Sequence, residues 1–255
     1  MPAMADPAHV PTCLISLRPS GQHEALRRAA ARVGMRLLAV SPWRLQARDD
    51  PETRLALAAA LAAPVVVFSS PMAVRAAAAL ASLGDGAGAR QWLAVGEGTA
   101  RALRRAGVSS VQAPSRMDSE GLLALPALIA AEHVGLVTAP GGRGMLAAAL
   151  AQRGVPVARA DVYQRVPQRL PASVLARLRA LEQPSVLALS SAEALQQVLR
   201  QLPADLLEKW RRQPVVVAST RLGQMAREHG FAHVIQAAGP RPAQLLSALA
   251  RRGGD

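Results

Sequence analysis

Tyr163 is the single tyrosine in the chain, and a phenol can donate a proton or a hydrogen bond to a departing hydroxyl. A lone tyrosine can equally be a packed residue with its OH at a boundary. Around it the sequence offers six short turns rich in hydroxyl, glycine and arginine. They are Arg18-Pro-Ser-Gly21, Ser69-Ser70-Pro71, Gly96-Glu-Gly-Thr99, Pro140-Gly-Gly-Arg143-Gly144, Ser190-Ser191-Ala192 and Ala218-Ser-Thr220. Each follows a short apolar run and opens a helical pattern. Backbone N–H groups there attract anions, and hydroxyls and guanidinium forks suit carboxylate or phosphate recognition. Taken singly, each Ser or Thr also reads as an ordinary helix N-cap. Six polar strand ends together favour a shared binding role.

Other chemistry is sparse. His9, His23 and His133 are isolated, and Gly230 separates His229 from His233, so no metal site is expected. Glu97 and Glu120 are single carboxylates rather than an acid/base pair. Cys13 is the only cysteine, which rules out a disulfide framework and a thiolate metal cluster. Gly142-Arg143-Gly144, followed by Ala147 and by Asp161 about 20 residues on, fits the dinucleotide fingerprint. The corresponding turn at Ser20-Gly21 lacks those glycines.

The elements that must hold these turns alternate. Strands are expected at 13–17, 65–69, 92–95, 134–138, 186–189 and 215–218. Helices follow at 23–33, 73–83, 98–106, 144–153, 192–201 and 221–229. Such alternation predicts parallel sheets with helices on both faces, an α/β fold. An internal repeat organises the series. Ile15 to Pro19 aligns with Leu136 to Pro140, Phe68-Ser69-Ser70 with Leu189-Ser190-Ser191, and Val95 to Thr99 with Val217 to Arg221, at an offset of about 121 residues. Two similar parallel-sheet α/β domains facing across a cleft are therefore expected. The extended segments 35–48 and 155–166 stand at matching places and suggest a two-stranded antiparallel connector. The expected division is 1–38 with 168–255 as a discontinuous first domain and 50–154 as an inserted second. The connector strands are then 39–49 and 155–167.

Composition limits the partners. The chain has 255 residues and a formal charge of +13, and Lys209 is its one lysine. The arginines are spread along helices without interleaved aromatics, so no nucleic acid partner is expected. The longest apolar run, Leu55 to Phe68, is interrupted by Pro64 and too short to span a membrane. The N-terminal residues show no signal pattern. A cytoplasmic location and a monomer, without a membrane partner, are the expectations.

Five segments in order carry a resemblance: Val66 to Arg75, Leu93 to Arg101, Ser119-Glu-Gly-Leu-Leu123, Gly141 to Leu146, and Val162-Tyr163-Gln-Arg165. Together they resemble the uroporphyrinogen-III synthases over nearly the whole chain. The resemblance implies two α/β domains joined by a two-stranded ladder. It implies cyclisation of hydroxymethylbilane, a linear tetrapyrrole with eight carboxylate arms, to uroporphyrinogen III, with inversion of the last ring and loss of water. It implies no cofactor. By motif, Tyr163 corresponds to the tyrosine that assists hydroxyl departure. Arg18, Ser69, Ser70, Thr99, Ser119, Arg143, Ser190, Ser191 and Thr220 correspond to substrate-binding positions. Leu17 stands where the family has a threonine. Two other readings of the same fold are a dinucleotide-dependent enzyme and a non-catalytic two-lobed sensor of polyanions.

Overall fold

The structure is a computed structural model, and it describes residues 12–84, 90–116, 119–141 and 144–251. It divides into two compact units. Unit 1 comprises Met1–Arg44 and Val166–Asp255, and unit 2 comprises Leu45–Arg165.

The strands are β1 (Cys13–Ser16), β2 (Arg36–Ala39), β3 (Trp43–Ala47), β4 (Val65–Phe68), β5 (Gln91–Ala94), β6 (Val134–Thr138), β7 (Val157–Asp161), β8 (Tyr163–Pro167), β9 (Ser185–Leu189), β10 (Val215–Val217) and β11 (Val234–Gln236). The helices are α1 (Glu24–Ala31), α2 (Pro51–Leu61), α3 (Pro71–Ala78), α4 (Glu97–Arg105), α5 (Ser119–Leu123), α6 (Pro126–Ile129), α7 (Gly144–Gln152), α8 (Ala172–Arg179), α9 (Ala192–Leu199), α10 (Ala204–Arg211), α11 (Thr220–Glu228) and α12 (Pro242–Ala250).

In unit 2 the sheet order is β5-β4-β6-β7, with every pair parallel. The central strands β4 and β6 are buried at every position, as a sheet covered on both faces requires. Alternate residues divide between two cores. Val66, Phe68, Ala94 and Val137 pack with Leu57 of α2, Val74 of α3 and Leu103 of α4. Val65, Val67, Leu93, Val134 and Leu136 pack with Leu122, Leu128, Leu146 and Leu150 from α5, α6 and α7.

Unit 1 repeats this plan in the order β11-β10-β9-β1-β2, again parallel. Ile15, Leu187, Leu189 and Val215 face α8 to α11, while Leu14, Val186 and Val216 face α1 and α12. The expected repeat is therefore an architectural one: β1, β2, β9 and β10 occupy the places of β6, β7, β4 and β5. Even the fifth strand has an echo in unit 2, a single parallel bridge from Leu93 to Gln112. Gly34 and Gly154 close α1 and α7 at φ +74 and +72, the left-handed conformation that ends a helix without Cβ strain.

The extended segments 35–48 and 155–166 each resolve into two strands. The first of each, β2 or β7, joins the parallel sheet of its unit, so the connector is shorter than the expected 39–49 and 155–167. The reason lies in the side chains. Leu38 and Ala160 are buried in the cores, whereas β3 and β8, apart from Tyr163, carry only exposed and half-buried residues. β3 pairs with β8 in a separate two-stranded sheet. Flanking bonds from Arg48 N–H to Val162 O (2.9 Å) and from Gln168 N–H to Pro42 O (3.0 Å) give the pair its antiparallel sense. Among the described residues no helix is long and apolar enough to cross a membrane.

Candidate functional site

Parallel sheets present ligand sites at the carboxyl ends of strands, where the strand order reverses direction. In unit 2 the chain runs outward from β4 to β5 and, on the other side, from β6 to β7. The switch point therefore lies between β4 and β6, where Ser69 N–H donates to Val137 O at 3.0 Å. In unit 1 it lies between β1 and β9, whose carboxyl ends carry Arg18 and Ser190.

Unit 2 holds the Tyr163 group. Tyr163 opens β8 and is buried against the α3–α4 core. Its OH lies 3.1 Å from Ser70 Oγ. Ser70 is the N-cap of α3, and its Oγ accepts the Ala73 N–H at 3.1 Å. One serine oxygen can accept the helix N–H and still donate its own proton to the phenol. In that arrangement the Tyr163 proton is left available to another acceptor. Thr99 is buried in the first turn of α4, at the carboxyl end of β5, and Ser69 is half-buried beside Ser70. The fold thus brings Ser69, Ser70, Thr99 and Tyr163 to one end of the unit 2 sheet.

Unit 1 aligns the others. Arg18, Ser190-Ser191 and Thr220 follow the adjacent strands β1, β9 and β10. Arg18 reaches Pro240 O at 3.4 Å and has no carboxylate partner among the described residues. Burial pushes its guanidinium below the usual arginine value. A half-buried guanidinium without an anion suits a carboxylate ligand. Ser191 caps α9 by accepting the Ala194 N–H (3.3 Å), and Ser190 is exposed. Thr220 is exposed and begins α11, while its neighbour Ser219 does the capping with the Leu222 N–H (3.4 Å). Ser119 starts α5, but its side chain lies outside the described residues, as do Gly142 and Arg143 entirely.

Sequence reasoning gives His23 no role. It is 5% exposed, with Nδ1 3.0 Å from Ser16 Oγ and Nε2 2.7 Å from Ser41 Oγ. A lone histidine has no partner pattern in sequence. The signal that could have found it is its place directly after an arginine-bearing strand end. The acid of the dinucleotide reading, Asp161, is already engaged. Arg159 holds it at 3.0 Å and also donates to Ala139 O at 2.9 Å.

The fold and the strand-end residues define a class: a protein of two parallel α/β units on a two-stranded connector, with hydroxyl groups at the strand ends of each unit and the Arg18 guanidinium at the switch point of unit 1. Residues 17–247 match the family model described as Uroporphyrinogen-III synthase HemD. The chain belongs to the uroporphyrinogen-III synthase family, and the dinucleotide-enzyme and sensor readings are not favoured. Solved structures of the same fold include a mutant uroporphyrinogen III synthase from the extremely thermophilic bacterium Thermus thermophilus, at 20% identity and TM-score 0.55, covering 94% of this chain and 98% of that one. The uroporphyrinogen-III synthetase of Helicobacter pylori matches at 16% identity and TM-score 0.54, covering 94% and 96%.

Proposed function

We propose that the chain is the hydro-lyase that cyclises hydroxymethylbilane to uroporphyrinogen III. The observation that carries this is family membership over residues 17–247. The site chemistry fits it. In the bilane a pyrrole nitrogen pushes out the terminal hydroxyl. The C–O bond breaks as an exocyclic double bond forms, and the hydroxyl takes a proton to leave as water. Tyr163 supplies that proton, and its bond to Ser70 Oγ at 3.1 Å orients the phenol; with Ser70 as the donor the phenol hydrogen points to the leaving group. Closure through a spiro intermediate inverts the last ring, and the proton lost on rearomatisation restores the phenol.

Leaving-group departure is easy, so most of the catalytic demand is to hold a flexible chain with the right carbon poised for closure. The carboxylate arms give it handles. Arg18 is the leading carboxylate anchor, with Ser69, Ser70, Thr99, Ser119, Arg143, Ser190, Ser191 and Thr220 as further binding positions. The same proposal makes the chain a cytoplasmic monomer. The exposed large apolar residues described, Val33, Leu55, Ile129 and Met145, lie on separate segments of the chain.

The experiment is a coupled assay. Hydroxymethylbilane is generated in place, the protein is added, and the oxidised porphyrin isomers are separated. Predominantly isomer III supports the proposal. Isomer I alone, the product of unaided closure, from folded protein defeats it.

A further inference from the structure

His23 sits at the N-cap position of α1 yet makes no capping bond. Its ring turns inward instead, bridging Ser16 at the end of β1 and Ser41 after β2. A neutral imidazole has one N–H and one lone pair, so one serine accepts from the ring and the other donates to it. Burying a polar ring is costly unless both nitrogens are bonded, and here both are.

The bridge belongs to a larger network in unit 1. Gln168 Nε2 donates to Ser41 O at 2.9 Å and to Ser20 Oγ at 2.7 Å. Ser20 N–H donates to Trp43 O at 2.8 Å, and Gln168 N–H donates to Pro42 O at 3.0 Å. The 18–22 turn is thereby tied to segment 41–43 by two routes. One runs through the His23 ring and the other through Ser20 and Gln168. Arg18 is the first residue of that turn, directly between β1 and the network.

We infer that His23 is a positioning residue, which through Ser16 and Ser41 fixes the 18–22 turn so that Arg18 presents its guanidinium to a substrate carboxylate. The inference rests on the proposed cyclase activity and on Arg18 as its carboxylate anchor. His23 itself touches no reacting atom. An apolar residue would fill the same space, but it would leave Ser16 and Ser41 without the ring and the turn free to shift. A misplaced anchor weakens binding of the bilane while leaving the Tyr163 chemistry in unit 2 intact.

The test is a kinetic double-mutant cycle in the coupled assay, with His23→Ala, Arg18→Gln and the pair. His23→Ala should raise KM by about fivefold, the worth of one hydrogen bond, with kcat within about twofold. His23→Gln, whose amide can both donate and accept, should recover most of the loss. In the Arg18→Gln background His23→Ala should add nothing, because the residue it positions is gone. Multiplying effects, or an unchanged KM in His23→Ala, would overturn the inference while leaving the cyclase standing. If His23→Ala does not fold, Ser41→Ala takes its place in the same cycle, with the same two outcomes. A wild-type protein that yields only isomer I defeats the cyclase reading and this inference together, and that arm is read before any variant.

Discussion

At the residue scale, the Tyr163–Ser70 pair separates chemistry from stability. Tyr163→Phe removes one hydroxyl and keeps the ring in its core. Turnover should fall by about 10- to 100-fold, with a stability loss of about 1 kcal/mol. Unchanged isomer III formation in the coupled assay would remove Tyr163 from the mechanism. His23 yields a pH prediction. Burial first, then Arg27, then Arg18, push its pKa from 6.5 to about 4. Between those values the unfolded chain binds a proton that the folded chain refuses. Stability is therefore complete above about 6.5 and is lost as pH falls toward 4, by up to about 3 kcal/mol. Urea melts at several pH values should show this slope in the wild type and a shallower one in His23→Gln; equal slopes would contradict it. The strand-end placement of Arg18, Ser69, Ser70 and Ser190 was legible because a hydroxyl or arginine after an apolar run marks a strand end in any parallel sheet. His23 was not, since its partners Ser16 and Ser41 flank two different strands and only the β1–β2 pairing brings them to one ring.

The elements were legible where periodicity was strong. The Val65–Phe68 and Val134–Thr138 runs could hardly be anything but buried strands. The split of 35–48 and 155–166 was hidden, because a strand entering a sheet and a strand leaving it are both extended; only the burial of Leu38 and Ala160 distinguishes them. Capping also divides cleanly between the two repeats. Ser70 and Ser191 cap equivalent helices, α3 and α9, but Ser70 alone touches a tyrosine. Ser70→Ala and Ser191→Ala should each cost about 1 kcal/mol in denaturant unfolding; Ser70→Ala, which loses the tyrosine contact, should also lower kcat, whereas Ser191→Ala, at a proposed binding position, should act on KM. Equal turnover losses would mean that the serines act alike and that the tyrosine contact is incidental. Gly135 marks a close helix–sheet approach. A Cβ there would meet Ala60 O of α2 at 1.9 Å. Gly135→Ala must push α2 off β6 and should destabilise unit 2 by about 3 kcal/mol or more, checked by urea unfolding.

At the scale of the whole molecule, each unit has its own cores, and the charge is uneven. Unit 1 carries 18 basic and 8 acidic residues, against 12 and 9 in unit 2. Under the proposed function, this asymmetry makes unit 1 the more attractive of the two to a polycarboxylate substrate. Separate cores predict separate unfolding. Trp210 reports the unit 1 core and Trp92 the unit 2 core, so single-tryptophan variants should give urea midpoints that do not coincide. Gly135→Ala should move the Trp92 midpoint and leave that of Trp210 in place; a joint shift would show one cooperative unit. The insertion of unit 2 within unit 1 also has a consequence in time. On the ribosome β1 emerges with only β2 to pair with, and its other neighbour, β9, follows roughly 170 residues later. At about 5 to 20 residues per second, Leu14 and Ile15 wait roughly 10 to 30 seconds for that partner. Unit 2 is complete well before then. The half-built sheet of unit 1 is thus the stretch of nascent chain most in need of a chaperone's cover.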